Sequence, residues 1–203
     1  MKKLVIASNN EGKIKEIKKV LANLPIEVLF LKDMGLDIDV EEDGLTFEDN
    51  AKKKSVEIYK ELIKKGENNF IVMSDDSGLE VDYLNGEPGV FSARYAGEHG
   101  NDKKNNEKLL LNLSGVSNEN RKARFVCQLA LISDKNEYRT LRGTVEGYIL
   151  EEEKGHGGFG YDPLFFYEPL NRSFGELTME EKNKISHRGV ALEKVKEIIK
   201  ELL

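Results

Sequence analysis

Three groups of residues in this chain have the types and spacing that chemistry on phosphates asks for. The first is Ser8, Asn9, Asn10, Glu11, Gly12 and Lys13, set between a short apolar stretch at 4–7 and a segment whose apolar residues Ile14, Ile17, Val20, Leu21 and Leu24 recur at helical spacing. A strand that enters a helix through small and amide residues offers free backbone N–H groups and the positive end of the helix dipole. Lys13 adds a full charge beside them. That combination suits a phosphate. It is not a Walker A loop, because the leading glycine and the hydroxyl residue after the lysine are missing. An ordinary strand-to-helix turn with an exposed lysine is the alternative reading.

The second group is Asp75 and Asp76, which follow the apolar run 70–73 and precede Ser77 and Gly78. Strand ends are where open α/β sheets place ligand-binding groups. Neighbouring residues of an extended strand point to opposite faces, so both carboxylates can face one ligand only if the backbone turns, and Gly78 makes a turn easy. Together with Glu41, Glu42 and Asp43 they supply hard oxygen ligands of the kind Mg2+ takes, one or two carboxylates beside water and substrate phosphates. The alternative is a turn whose aspartates only cap backbone groups.

The third group lies late in the chain. Four glycines fall within residues 155–160, with Phe159 and Tyr161 available to stack on a flat ring such as a purine, or else to plug a tight crossover. Further on, Ser186, His187 and Arg188 precede an apolar-periodic segment that Ser186 could cap. An imidazole and a guanidinium at a helix N-terminus are electrostatically unfavourable unless an outside acceptor meets them. Lys182 and Lys184 stand just upstream.

The elements that must hold these groups read as an α/β protein. Strand-like runs at 4–7 and 26–31 flank the first helix, a compact βαβ start with parallel pairing. A second helix is expected over 46–64, capped by Thr46 with Asp49 as partner, its apolar face formed by Phe47, Ala51, Ile58, Tyr59, Leu62 and Ile63. Strands follow at 70–73 and 79–83, then a turn at Asn85 and Gly86, a loop up to Gly97 and a helix over 102–113. Runs at 124–133 and 138–150, joined by a polar turn, form an antiparallel hairpin. A short strand at 164–167 and a helix from about 190 to 203 close the chain.

At 203 residues, with 39% hydrophobic and 33% charged residues, the chain can bury a substantial core and is far from the composition of disordered segments. The expected compartment is the cytoplasm. No apolar run approaches the roughly 18 residues that span a bilayer, and the N-terminus lacks a secretory signal's apolar centre. The single Cys127, inside an apolar run, excludes an intrachain disulfide and a cysteine-rich zinc site and reads as core. A net charge of -6 disfavours duplex nucleic acid as main partner but leaves room for a small anion in a local basic pocket.

Taken in order, SNNEGK (8–13), TFEDNAKKKS (46–55), SDDSGLEVDYLNGEPGVFSARYAG (74–97), GGFGYDPLFF (157–166) and ELTMEEKNKISHRGVAL (176–192) resemble the inosine triphosphate pyrophosphatase family of non-canonical purine nucleotide hydrolases. The likeness runs from residue 4 to about 199. It implies a single elongated α/β domain over residues 1–203, with two lobes, a central mixed sheet flanked by helices and an active site in the cleft between the lobes. It also implies a homodimer and Mg2+-dependent hydrolysis of ITP, dITP and XTP to monophosphate and pyrophosphate, which removes deaminated purines from the nucleotide pool. Carried over by position, residues 8–13 and Lys54 would bind phosphates, and Asp76 would be general base and metal ligand with Glu41 as second ligand, Glu42 being exchangeable with it. Ser77, Phe159, Gly160, Tyr161, Asp162, Lys182, His187 and Arg188 would bind substrate.

These expectations describe water attacking a phosphorus, with Asp76 or Asp75 accepting its proton and Lys13, Lys54 and helix amides holding the departing pyrophosphate. Donors such as Lys182, His187 or Arg188 would donate to the 6-oxo group of hypoxanthine or xanthine and be mismatched to the 6-amino group of adenine. A nucleotide sensor without chemistry, an enzyme of similar architecture acting on modified pyrimidine or methylated nucleotides, and a nucleic-acid-binding module are the competing readings. The last is disfavoured by the acidic charge balance.

Overall fold

A computed structural model describes residues 1–202. It contains a mixed seven-stranded sheet flanked by helices, in the order β2-β1-β3-β4-β5-β6-β7. The strands are β1 (Lys3–Ala7), β2 (Glu27–Phe30), β3 (Phe70–Val81), β4 (Lys122–Ser133), β5 (Tyr138–Ile149), β6 (Phe165–Tyr167) and β7 (Arg172–Ser173). The helices are α1 (Glu11–Leu21), α2 (Phe47–Lys64), α3 (Asp102–Asn112), α4 (Met179–Ile185) and α5 (His187–Leu202). No helix among the described residues is long and apolar enough to cross a membrane. The chain divides into two compact units: residues 1–76, 127–142 and 191–203 form the first, and 77–126 with 143–190 the second.

In the first unit β1 pairs in parallel with β2 on one side, Lys3 opposite Glu27, and with β3 on the other, Ala7 opposite Ser74. Both sheet faces are covered, so the strands are apolar on alternate and intervening positions alike. Leu4, Ile6, Ile71 and Met73 pack with Ile17 and Leu21 of α1 and with Leu192 and Val195 of α5. Val5, Ala7, Phe70 and Val72 pack on the other face with Ile58 and Leu62 of α2. Cys127 is a buried member of the first of these cores, as expected. Thr46 caps α2 by accepting from the Asp49 N–H. Two helix expectations shift: Leu24 lies beyond the end of α1, and Ile63, placed on the apolar face of α2, is 45% exposed.

The second unit packs Leu79, Val81, Leu109, Phe125, Phe165 and Phe174 into its own core. The hairpin is present, its ends tied by hydrogen bonds from Ser133 N–H to Glu137 O and from Ile149 N–H to Arg121 O. Asn85 sits at φ 53, the left-handed conformation that the Asn-Gly turn demands. A 3-10 turn over Asp82–Leu84 replaces the end of the strand expected over 79–83, and Tyr83 is exposed there.

Three expectations need correction. Residues 74–78 do not turn: β3 is one strand of twelve residues from Phe70 to Val81. Its core partners continue on either side of the acidic pair, and that burial outweighs the turn preference of Asp, Ser and Gly. A helix, α4, occupies Met179–Ile185, where none was expected; its apolar stripe is short, but Thr178 and Glu181 close a capping box. The last helix begins at His187, three residues earlier than its hydrophobic period suggested.

Candidate active site

Residues 8–13 form the β1 to α1 connection. Asn10 caps α1, its Oδ1 accepting from the Lys13 N–H at 3.0 Å, and Ser8 Oγ accepts from the Asn10 N–H at 3.2 Å. Asn9 Nδ2 reaches the Ile38 carbonyl at 3.3 Å. The loop's own side chains therefore absorb two of the donors that seemed free, the N–H groups of Asn10 and Lys13.

Because β3 stays extended, Asp75 and Asp76 point to opposite faces of the sheet. Asp75 shares the face of Ile71 and Met73 with α1, and its Oδ1 pairs with Lys13 Nζ at 2.6 Å; its Oδ2 accepts from the Cys127 thiol at 3.4 Å. Asp76 shares the face of Phe70 and Val72 with α2, and its Oδ1 lies 3.6 Å from Lys54 Nζ. The two lysines nevertheless converge. β1 ends opposite Ser74, so the next carbonyl of β3, that of Asp75, has no strand beside it on that edge. Lys54 Nζ takes it at 2.7 Å and Lys13 Nζ lies 3.3 Å away.

Glu42 completes this cluster. Its Oε1 is 2.6 Å from Lys54 Nζ, whereas Glu41 is exposed. The acid that the structure brings to Asp76 is thus Glu42, not Glu41, the position assigned to the metal from sequence. Spacing along an irregular segment could not separate the two. Lys54 is buried, as the exception within the Lys52, Lys53, Lys54 run.

Burial raises the Asp76 pKa above the ordinary carboxylate value, against the pull of Lys54 and Lys13, and the nearby Glu42 adds to the rise. Its Oδ2 is buried and makes no hydrogen bond among the described residues. A buried carboxylate oxygen left over beside a second acid is a sound place for a hard cation. No group of three or more His, Cys, Asp or Glu suited to a metal occurs among the described residues. Asp76 and Glu42 therefore fit Mg2+ with substrate and water as remaining ligands, and do not fit an all-protein cage.

A second cluster lies in the second unit, and Ser77, half-buried on β3, belongs to that unit. Asp162 Oδ2 accepts from Lys182 Nζ at 2.6 Å and from the Phe159 N–H at 2.8 Å. Lys182 Nζ stands 4.7 Å from the Phe159 ring centroid and Arg188 Cζ 5.8 Å, so two cations flank a half-exposed ring. Gly158 holds φ +74, and a Cβ there would collide with the Asp162 carboxylate. Arg188 is 1% exposed, and His187 stacks on Phe125 with centroids 4.8 Å apart. Both lie in the first turn of α5, where Ser186 Oγ accepts from the Gly189 N–H at 3.1 Å, the cap expected from sequence.

The glycine loop divides between its two readings. Phe159 stays available to a ring, but Tyr161 is buried, its hydroxyl donating to the Ser92 carbonyl at 2.8 Å. Burial of that phenol also raises its pKa. Gly160 has no free polar group either: its N–H donates to Asp102 Oδ2 at 2.7 Å and its carbonyl accepts from Asn106 Nδ2 at 3.2 Å. The polar groups of Tyr161 and Gly160 are thus engaged within the protein.

The fold is shared with solved proteins, and the sequence with curated relatives. The chain belongs to the Ham1 family, whose family model matches residues 4–198. It is 57% identical over 203 residues to the dITP/XTP pyrophosphatase of Clostridium perfringens (strain 13 / Type A), covering 100% of both chains. Over 199 residues it is 46% identical to the dITP/XTP pyrophosphatase of Bacillus subtilis (strain 168), covering 98% of each. Among solved structures, the Staphylococcus aureus Ham1 protein matches with a TM-score of 0.86 at 42% identity and full coverage of both chains. A HAM1 protein from Coxiella burnetii matches with a TM-score of 0.86 at 36% identity, over 99% of this chain and 100% of that one.

Proposed function

We propose that this protein is a nucleoside triphosphate pyrophosphatase that hydrolyses ITP, dITP and XTP, with Mg2+, to the monophosphate and pyrophosphate, acting as a cytoplasmic homodimer. The observation that carries the reading is the meeting of Lys13 and Lys54 at the Asp75 carbonyl, with the leftover Asp76 oxygen beside them. A pure nucleotide sensor has use for the lysines and none for a buried carboxylate with a raised pKa.

In this reading Lys13 and the first-turn amides of α1 hold the polyphosphate, and Lys54 neutralises charge as the bond between the α and β phosphorus atoms breaks. Asp76 accepts the proton of the attacking water. Asp75, locked to Lys13 and Cys127, orients a lysine and is not a second base. Glu42 and Asp76 would hold Mg2+, which when bound screens phosphate charge and acidifies water. Phe159 stacks on the purine, while Lys182 and Arg188, the cations beside that ring, present donors to the 6-oxo group; an adenine amine there would set donor against donor, at about 1–3 kcal/mol.

The test is product analysis with each triphosphate, with and without Mg2+. Pyrophosphate and monophosphate from ITP, dITP and XTP, with little from ATP, are expected. Release of single phosphate, or tight binding without turnover, would overturn the proposal. Light scattering of the purified chain tests the dimer.

A further inference from the structure

We infer that Asp102 and Asn106 are positioning residues for base recognition, one turn apart on α3, which clamp the backbone of Gly160 and thereby fix the Phe159 ring. The inference rests on the function proposed above. Residues at i and i+4 share a helix face, and here both reach the backbone of one residue, Asp102 on the peptide before Gly160 and Asn106 on the peptide after it. Asp102 Oδ2 accepts the Gly160 N–H at 2.7 Å, and Asn106 Nδ2 donates to the Gly160 carbonyl at 3.2 Å. Asn106 Nδ2 also reaches Glu153 Oε1 at 2.8 Å, which ties down the segment entering the glycine loop.

Both ends of the clamp are themselves fixed. Asp102 is the first residue of α3, where the helix dipole favours a carboxylate, and Asn101 caps that helix through the Lys104 N–H at 3.1 Å. The neighbouring Asn105 holds a different loop, accepting from the Ala96 N–H at 2.8 Å. Gly160 has φ +62 and nothing within 4 Å of where a Cβ would lie, so no side-chain packing replaces these two bonds. On its other side the Phe159 backbone is held by Asp162, its N–H donating to Asp162 Oδ2 at 2.8 Å and its carbonyl accepting from the Asp162 N–H at 3.3 Å. Removing the clamp frees the peptide that sets the ring's direction and leaves the Lys182 and Asp162 pair intact.

The experiment compares the full-length parent with Asp102→Ala, Asp102→Asn and Asn106→Ala in steady-state hydrolysis of dITP and dATP, with inorganic tripolyphosphate as competitive inhibitor. Asp102→Ala is expected to raise KM for dITP roughly fivefold, with kcat near the parent's and a narrower preference for dITP over dATP. Inhibition by tripolyphosphate, which has no base, stays unchanged. Asp102→Asn keeps an oxygen acceptor and restores the parent KM; Asn106→Ala, checked for folding by circular dichroism, follows Asp102→Ala. Should Asn106→Ala not fold, the exposed Asp102 pair decides alone. The clamp is refuted if Asp102→Ala has the parent KM, if its tripolyphosphate inhibition weakens in step, or if Asp102→Asn behaves like Asp102→Ala. A parent that releases no pyrophosphate from dITP refutes the proposed function, and the clamp with it; an active parent that Asp102→Ala matches refutes the clamp alone.

Discussion

Lys54 donates to the backbone carbonyl of Asp75 at 2.7 Å, although α2 covers the sheet face opposite to the Asp75 side chain. A carbonyl lies in the plane of the sheet, so it can be approached from either face, and Lys13 stands 3.3 Å from the same oxygen. One atom therefore sets the spacing of two ammonium groups carried by different helices.

Replacing Asp76 with Asn is expected to lower kcat by about 10²–10⁴-fold while the fold is kept. It also changes how stability depends on pH. Burial raises the folded-state pKa above 3.8, so ionising Asp76 weakens the fold at neutral pH, and this penalty vanishes as pH falls below the unfolded value. The variant should be the more stable protein at pH 7, with the difference shrinking toward pH 3.8. Urea denaturation at several pH values checks it; a parent more stable than the variant at pH 7 would contradict the assignment.

Lys13→Ala removes the cation paired with the Asp75 carboxylate, whose side chain is fully buried. Breaking such a pair costs about 3–5 kcal/mol, and the loss should be visible in denaturation without any ligand. Weaker inhibition by tripolyphosphate should accompany it. Unchanged inhibition would remove Lys13 from the phosphate site.

Glu42→Gln and Glu41→Gln separate the two candidate metal acids. The Mg2+ concentration for half-maximal rate should rise for Glu42→Gln, because Glu42 shares Lys54 with Asp76, and stay put for the exposed Glu41. The reverse order would restore the assignment made from sequence.

Phe159→Ala should raise KM for dITP by roughly tenfold, the scale of one base-aromatic stack. Tyr161→Phe, in contrast, leaves the Ser92 carbonyl without its donor and should cost about 1–3 kcal/mol of stability, with a far smaller change in KM. If the two variants shift KM equally, the division of labour within the glycine loop is wrong.

Much of this arrangement was legible in the chain. The βαβ start, the capped α2 and the hairpin follow from periodicity and end signals, and five short motifs in order pointed to the family. The choice between Glu41 and Glu42 was not legible, because it depends on which side chain reaches back to Lys54 across 12 residues of sequence. The straight course of β3 was hidden for another reason. Ser74, Asp75, Asp76, Ser77 and Gly78 have turn propensities, and only long-range burial from strands and helices elsewhere in the chain keeps them extended. Sequence also could not show that polar groups of Tyr161 and Gly160 are bonded to Ser92, Asp102 and Asn106, because those partners lie far away along the chain.

Ser186 ends α4 and caps α5, so Lys182, His187 and Arg188 sit on two helices with no linker between them. Gly189 lets the helices approach so closely that a Cβ there would strike the Asn183 carbonyl. Inserting a single residue at this corner would swing the following helix by about 100° and turn Arg188 away from Phe159. The corner can thus tolerate exchange of side chains but not a change of length.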